Sequence, residues 1–123
     1  MSVKGVAGQL NLILDKYCDR LNVETDNIMN DVSRETADEL RQNSPRRKGA
    51  YARSWTVKKD KHRYIVHNKD HYRLTHLLEY PHDIRNQYGT YVGQTNAQPH
   101  IYRAEQNATV RLLKRLNNEL SDL

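Results

Sequence analysis

His62, His67, His71, His76, His82 and His100 are the residues that first invite a metal reading. The closest spacings are His67-x3-His71 and His71-x4-His76. Two histidines four apart on a helix face suit zinc, but Asn68-Lys69-Asp70 reads as a turn lying between His67 and His71. No His-Glu-x-x-His run occurs, and Cys18 is the only cysteine. Both the helical two-histidine motif and a cysteine-based zinc set are therefore missing. The histidines read as scattered surface and loop residues, and neither a metal nor a cofactor is expected.

General acid–base chemistry would draw on Arg63, His67, Glu79 and His82. Small basic ribonuclease toxins use these residue types on a compact α+β fold. The chemistry needs them within hydrogen-bond reach of one another. In a chain with 20 Lys and Arg and six His, nearness along the sequence arises by chance. The expectation is that the chain is not an enzyme, with a ribonuclease-type toxin kept as the alternative.

Nucleic-acid chemistry has a better footing. Residues 41–73 hold Arg41, Arg46, Arg47, Lys48, Arg53, Lys58, Lys59, Lys61, Arg63, Lys69 and Arg73, interleaved with Tyr51, Trp55, Tyr64 and Tyr72. Cations neutralise phosphates and aromatic rings stack on bases. Strand parity, however, puts Tyr51, Trp55 and Val57 on one face, which reads as a core face with solvated cations opposite. A small basic nucleic-acid-binding protein stays as the second alternative. The overall charge of +5 is also uneven: residues 1–40 carry −4, residues 41–73 carry +9, and residues 74–123 are neutral. Such a charge dipole favours head-to-tail packing between copies.

The elements that must position these groups follow from periodicity. Residues 8–42, within a helical segment 1–43, read as one long amphipathic helix. Leu10, Ile13, Leu14, Tyr17, Leu21, Ile28, Val32 and Leu40 recur at spacings of three, four or their sums. A continuous or gently bent helix is expected, with a break near Asn22 or Asn27 as the alternative. Its length would be roughly 50 Å, more than a chain of this size covers, so part of it should pack on another subunit.

Asn43-Ser44-Pro45 ends the helix, because proline disfavours helical geometry in the residue before it. A basic loop follows over 45–49. Strands over 51–57 and 62–67 form a hairpin around a polar turn at 58–61. A short helix over 72–80 is stopped by Pro81, with Leu77 and Leu78 facing inward. Residues 82–98 read as a long loop holding a short strand at 88–93, and loops of that length are usually functional. Pro99 opens a last helix carrying Ile101, Ala104, Ala108, Leu112, Leu116 and Leu120. The fold class is α+β: long N-terminal helix, small antiparallel sheet with a hairpin, short middle helix, C-terminal helix.

Size bounds the rest. The 123 residues suit a single domain, 1–123, with one modest core. Phe is absent, Trp is single and Tyr is eight, which suggests a thin core and half-wet aromatic surface. No stretch nears the ~20 apolar residues of a membrane span. The N-terminus lacks a basic-then-apolar signal pattern, so neither export nor membrane association is expected. One cysteine allows no internal disulfide, and a reduced compartment is the default.

Three local patterns carry a resemblance. They are Ser44-Pro45-Arg46-Arg47-Lys48-Gly49-Ala50-Tyr51-Ala52-Arg53-Ser54-Trp55, His76-Leu77-Leu78-Glu79-Tyr80-Pro81-His82, and Gln98-Pro99-His100-Ile101-Tyr102-Arg103-Ala104-Glu105. Their order and spacing resemble the gene-product-ten-like family of tailed-phage neck proteins, the head–tail connector, joining or tail-completion proteins. That family's pattern has Thr before the glycine, Gly after the Leu-x-Glu-aromatic segment and Pro before the alanine. Here those places hold Lys48, Pro81 and Arg103.

The resemblance implies a structural motif of Pro45, Gly49, Tyr51, Ser54, Trp55, Leu77, Leu78, Glu79, Pro99, Ile101 and Ala104. It also implies a ring without catalytic residues. Six copies are expected, with twelve as the alternative, around the DNA channel of the virion neck, built in the bacterial host cytoplasm. The implied partners are copies of the chain, a connector or stopper, a tail terminator or tail tube, and passing channel DNA. Arg46, Arg47, Lys48, Arg53, Lys58, Lys59, Lys61 and Arg63 are the basic interface or channel residues. Glu35, Asp38 and Glu39 are the acidic ones, facing the basic hairpin of the next copy.

Overall fold

The computed structural model describes residues 3–46 and 48–122. In chain order the elements are α1 (Val3–Asn43), α2 (Ala50–Arg53), β1 (Trp55–Asp60), β2 (Arg63–Asn68), α3 (Tyr72–Glu79), β3 (Asp83–Arg85), β4 (Tyr91–Gln94) and α4 (Ile101–Asp122). The architecture is α+β, with the long N-terminal helix, hairpin, short middle helix and C-terminal helix in the expected order. Arg47 lies outside the described residues.

α1 runs unbroken for 41 residues, and no Gly or Pro occurs from residue 9 to its end. The break considered near Asn22 or Asn27 is absent. Its last turn closes with the Ser44 amide donating to the Leu40 carbonyl at 2.9 Å. The Arg46 guanidinium then donates to the Arg41 carbonyl at 2.6 Å. A cation suits the negative end of the helix dipole.

Residues 51–53 correct the strand expectation: they form the helical turn α2, and β1 starts at Trp55. Tyr51 and Trp55 are four apart, a step that satisfies a helix and a strand alike. Gly49 decides between them. Its φ of +81° starts the turn in a left-handed conformation that a side chain tolerates poorly. The Arg53 guanidinium also lies 2.6 Å from where a Cβ at Gly49 would stand. The Ser54 hydroxyl then bonds the Ala50 carbonyl at 2.8 Å, closing the turn.

β1 and β2 pair antiparallel from Trp55↔Asn68 to Asp60↔Arg63. Lys58, Lys59 and Asp60, expected in a turn, are therefore strand residues. Lysines are tolerated there because this two-stranded sheet is all edge. The reversal is confined to Lys61 and His62, with Lys61 at a φ of +56°.

The expected loop 82–98 is also corrected. β3 and β4 pair antiparallel within it. Asn86 organises the bend, its side-chain oxygen accepting from the Tyr88 and Thr90 amides at 2.9 and 3.0 Å. Every residue of these two strands except Gly93 is exposed, so no alternating buried face existed for a pattern to reveal.

In α3, Leu78 packs on the core while Leu77 is exposed, a correction to the expectation that both face inward. Successive helix residues point about 100° apart, and the other inward place is taken by Glu79. The core is thin, as expected. It comprises Leu40, Tyr51, Trp55 and Ala104, with Val66, Leu78 and Ile101 packed beside them.

α4 lies antiparallel to the C-terminal half of α1. Glu39 of α1 meets Asn107 and Arg111 at 2.7 and 3.1 Å, and Glu35 meets Arg115 at 2.5 Å.

Candidate functional site

The three sequence patterns converge on one buried junction. Ser44 ends α1, and its hydroxyl accepts from the Trp55 indole nitrogen at 2.8 Å. The Tyr51 hydroxyl lies 2.6 Å from Nε2 of His100. Nδ1 of His100 lies 2.7 Å from the Gln98 carbonyl, which can only accept. The proton therefore sits on Nδ1, and Nε2 accepts from Tyr51. Tyr51, Trp55 and His100 meet edge to face, with ring centroids 5.6 to 6.3 Å apart.

Glu79 joins the second pattern to the third. Its carboxylate accepts from the backbone amides of His100, Ile101 and Tyr102 at 2.9, 3.0 and 3.0 Å. These are orphan donors at the start of α4, and a carboxylate there also matches the helix dipole. Burial pushes the Glu79 carboxyl up, but the three amides and nearby His100 outweigh it and hold it below its ordinary value. Burial likewise pushes the Tyr51 hydroxyl up, and the Glu79 charge adds to that. Pro99 precedes His100, the residue before the first helical turn, so α4 begins two residues later than expected. Ala104 is buried at the centre of the contact.

Asn68 was not singled out from the sequence. It is 2 % exposed. Its amide donates to the Tyr51 carbonyl at 2.8 Å, and its oxygen accepts from the His71 amide at 2.9 Å. A buried Asn at the end of a strand resembles any turn asparagine in sequence; only its surroundings distinguish it.

The acid–base set does not assemble. Glu79 is committed to α4, Arg63 pairs with Asp60, and His82 bonds Thr95. Among the described residues, no group of three or more His, Cys, Asp or Glu is placed to hold a metal ion. No helix among them is long and apolar enough to cross a membrane.

The charged residues singled out divide into two sets. Glu35 and Glu39 reach α4, and Asp38 pairs with Arg41. Lys59 pairs with Asp26 of α1 at 3.2 Å, and the Tyr64 hydroxyl donates to the same oxygen at 2.8 Å. Hydrogen bonds from Tyr64 and Lys59 hold the Asp26 carboxyl down, and interaction with Tyr64 and Asp26 holds the Lys59 ammonium up. Arg53 reaches back to the Lys48 carbonyl at 3.5 Å. Lys48, Lys58 and Lys61 are exposed side chains on the loop and hairpin. Part of the acidic helix thus meets the basic hairpin inside one chain.

A second feature is the bare half of α1. Every residue from 5 to 20 is exposed. Val6, Leu10, Leu12, Ile13, Leu14 and Tyr17 among them are 43–62 % exposed.

Polar groups at the buried junction bond one element to another, while large apolar surface lies bare. This is the make-up of a structural part of an assembly. Residues 9–80 match the family described as "Bacteriophage HK97-gp10, putative tail-component". The match covers more than half of the chain, and the chain belongs to this family of bacteriophage tail components. It takes in the first pattern and most of the second, and Glu79 ties the third to them. No curated protein and no solved structure matches the chain.

Proposed function

We propose that this chain is a structural protein of the phage neck, joining the DNA-filled head to the tail as a ring around the channel. The observation that carries this reading is the bare α1 half on a chain of a phage tail-component family. A helix with apolar residues on it and nothing beneath is a surface for another subunit. Six copies are proposed. The partners are copies of the chain and the adjoining connector, stopper, tail terminator or tail tube.

The basic loop and hairpin, with Lys48, Lys58 and Lys61 outermost, face channel DNA or an acidic neighbour. Arg46, Arg53, Lys59 and Arg63 support that surface from intrachain bonds, and Arg47 belongs to the same loop in sequence. Changing Lys48, Lys58 and Lys61 together to Glu should leave the fold intact and stop heads from joining tails, scored by electron microscopy of assembling particles. Normal virions from the triple variant would discard the proposed role of this surface. Tight binding or cleavage of RNA by the purified wild-type chain would favour the nucleic-acid alternative instead.

A further inference from the structure

An apolar groove of about 390 Å³ opens between α1, α4 and the β1–β2 hairpin. Met29, Val32, Leu40, Trp55, Ala104 and Leu112 are among its walls. It is a gap in the core: no large side chain among the described residues reaches full burial. The same chain carries an uncovered apolar stripe, Val6, Leu10, Ile13, Leu14 and Tyr17, at helical spacing along α1. α1 has no break at which to fold back, so the stripe cannot reach its own groove.

We infer that the N-terminal half of α1 docks in this groove on a second copy of the chain. The inference rests on the ring reading above and names the contact that builds the ring.

Length and charge support that occupant. The exposed stripe from Val6 to Tyr17, and the groove walls from Met29 to Leu40 and from Ile101 to Leu112, each span eleven residue steps. At 1.5 Å per residue all three are about 16 Å long. Lys16 and Arg20 flank the stripe on one side, and neither has an acidic partner among the described residues. Glu105 stands in the groove wall and has no basic partner among the described residues. A helix laid in an apolar groove with charges matched at its rim is an established recognition mode. Stripe and groove are different surfaces, so each copy uses one of each with its two neighbours. Such a heterologous contact closes into a ring when the rotation permits.

The test uses the full chain with Cys18→Ser, carrying Tyr17→Cys in the stripe and Ala108→Cys in the groove. Mild oxidation should give a ladder of covalent multimers from the double variant and only monomer from either single variant. A dimer from Tyr17→Cys alone would mean that stripe pairs with stripe, and would overturn the inference. Independently, Leu10→Glu with Ile13→Glu should turn the wild-type multimer into monomer by light scattering. The body should stay folded, with hydrogen exchange over residues 32–40 as slow as in wild type, since residue 5–20 side chains lie outside it. Lys16→Glu with Arg20→Glu should raise the concentration needed for assembly several-fold, and adding Glu105→Arg should restore it.

A wild-type chain monomeric at every concentration, with no ladder, overturns the inference. The ring reading is judged separately, by counting copies in assembled particles. A ring that forms without the ladder and survives Leu10→Glu with Ile13→Glu keeps that reading and removes this contact.

Discussion

At Glu79 a single carboxylate holds two segments of chain together, because it satisfies three backbone donors at the start of α4, the His100 amide among them buried. Gln in its place presents an NH2 group to some of those donors. Leaving a buried donor unpaired costs about 1–3 kcal/mol, and Glu79→Gln should lose about that much stability at pH 7 by urea denaturation. The pH dependence has a definite sign. The folded carboxyl titrates below its ordinary value of 4.5, so its stabilisation is full above that pH and is lost as pH falls through the depressed value. Wild type and Glu79→Gln should therefore converge in stability as pH drops below 4.5. A gap that stays constant from pH 7 to pH 3 would contradict the capping role.

At the scale of elements, the hairpin is tied to α1 through Asp26, Lys59 and Tyr64. Removing the Tyr64 hydroxyl takes away the largest influence holding Asp26 down. Tyr64→Phe should move the Asp26 carboxyl up toward 3.8, as followed by carboxyl-carbon NMR. The β3–β4 hairpin is attached differently. Its strands bury almost nothing, and the chain leaving it is anchored by the Gln98 amide on the Leu78 carbonyl at 2.8 Å. Replacing residues 83–94 with a short Gly-Ser linker should leave the melting temperature within about 3 °C of wild type, less than the roughly 4 °C that a loss of 1 kcal/mol brings in a domain of this size. A larger drop would show that the arm supports the body.

Across the whole molecule, stability is unevenly spread. Val32, Ala37 and Leu40 of α1 are buried, whereas every residue from 5 to 20 is exposed. An isolated helical segment of that length is marginal in water. Hydrogen exchange on the monomeric chain should therefore be fast over residues 5–20 and slow over 32–40. Assembly should slow exchange in the first segment while leaving the second unchanged. Equal protection of both segments in the monomer would show that the bare half is already covered.

The sequence by itself determined the α+β order, the long helix, the hairpin and the three patterns carrying the family resemblance. Those features rest on local causes: apolar residues at helical spacing, an α1 without Gly or Pro from residue 9 onward, and Pro45 and Pro81 ending helices. Only the tertiary structure decided that the three patterns meet at one junction, because the bond from Tyr51 to His100 spans 49 residues and those from Glu79 to α4 span more than 20. It also decided where the charges go. The acidic–basic asymmetry was legible as a count, but the pairing of Glu35, Glu39 and Asp26 inside the chain depends on the antiparallel placement of α4 and the hairpin against α1. What remains uncovered, the first half of α1 and the groove beside its second half, is visible only once those pairings have been made, because exposure is what packing leaves over.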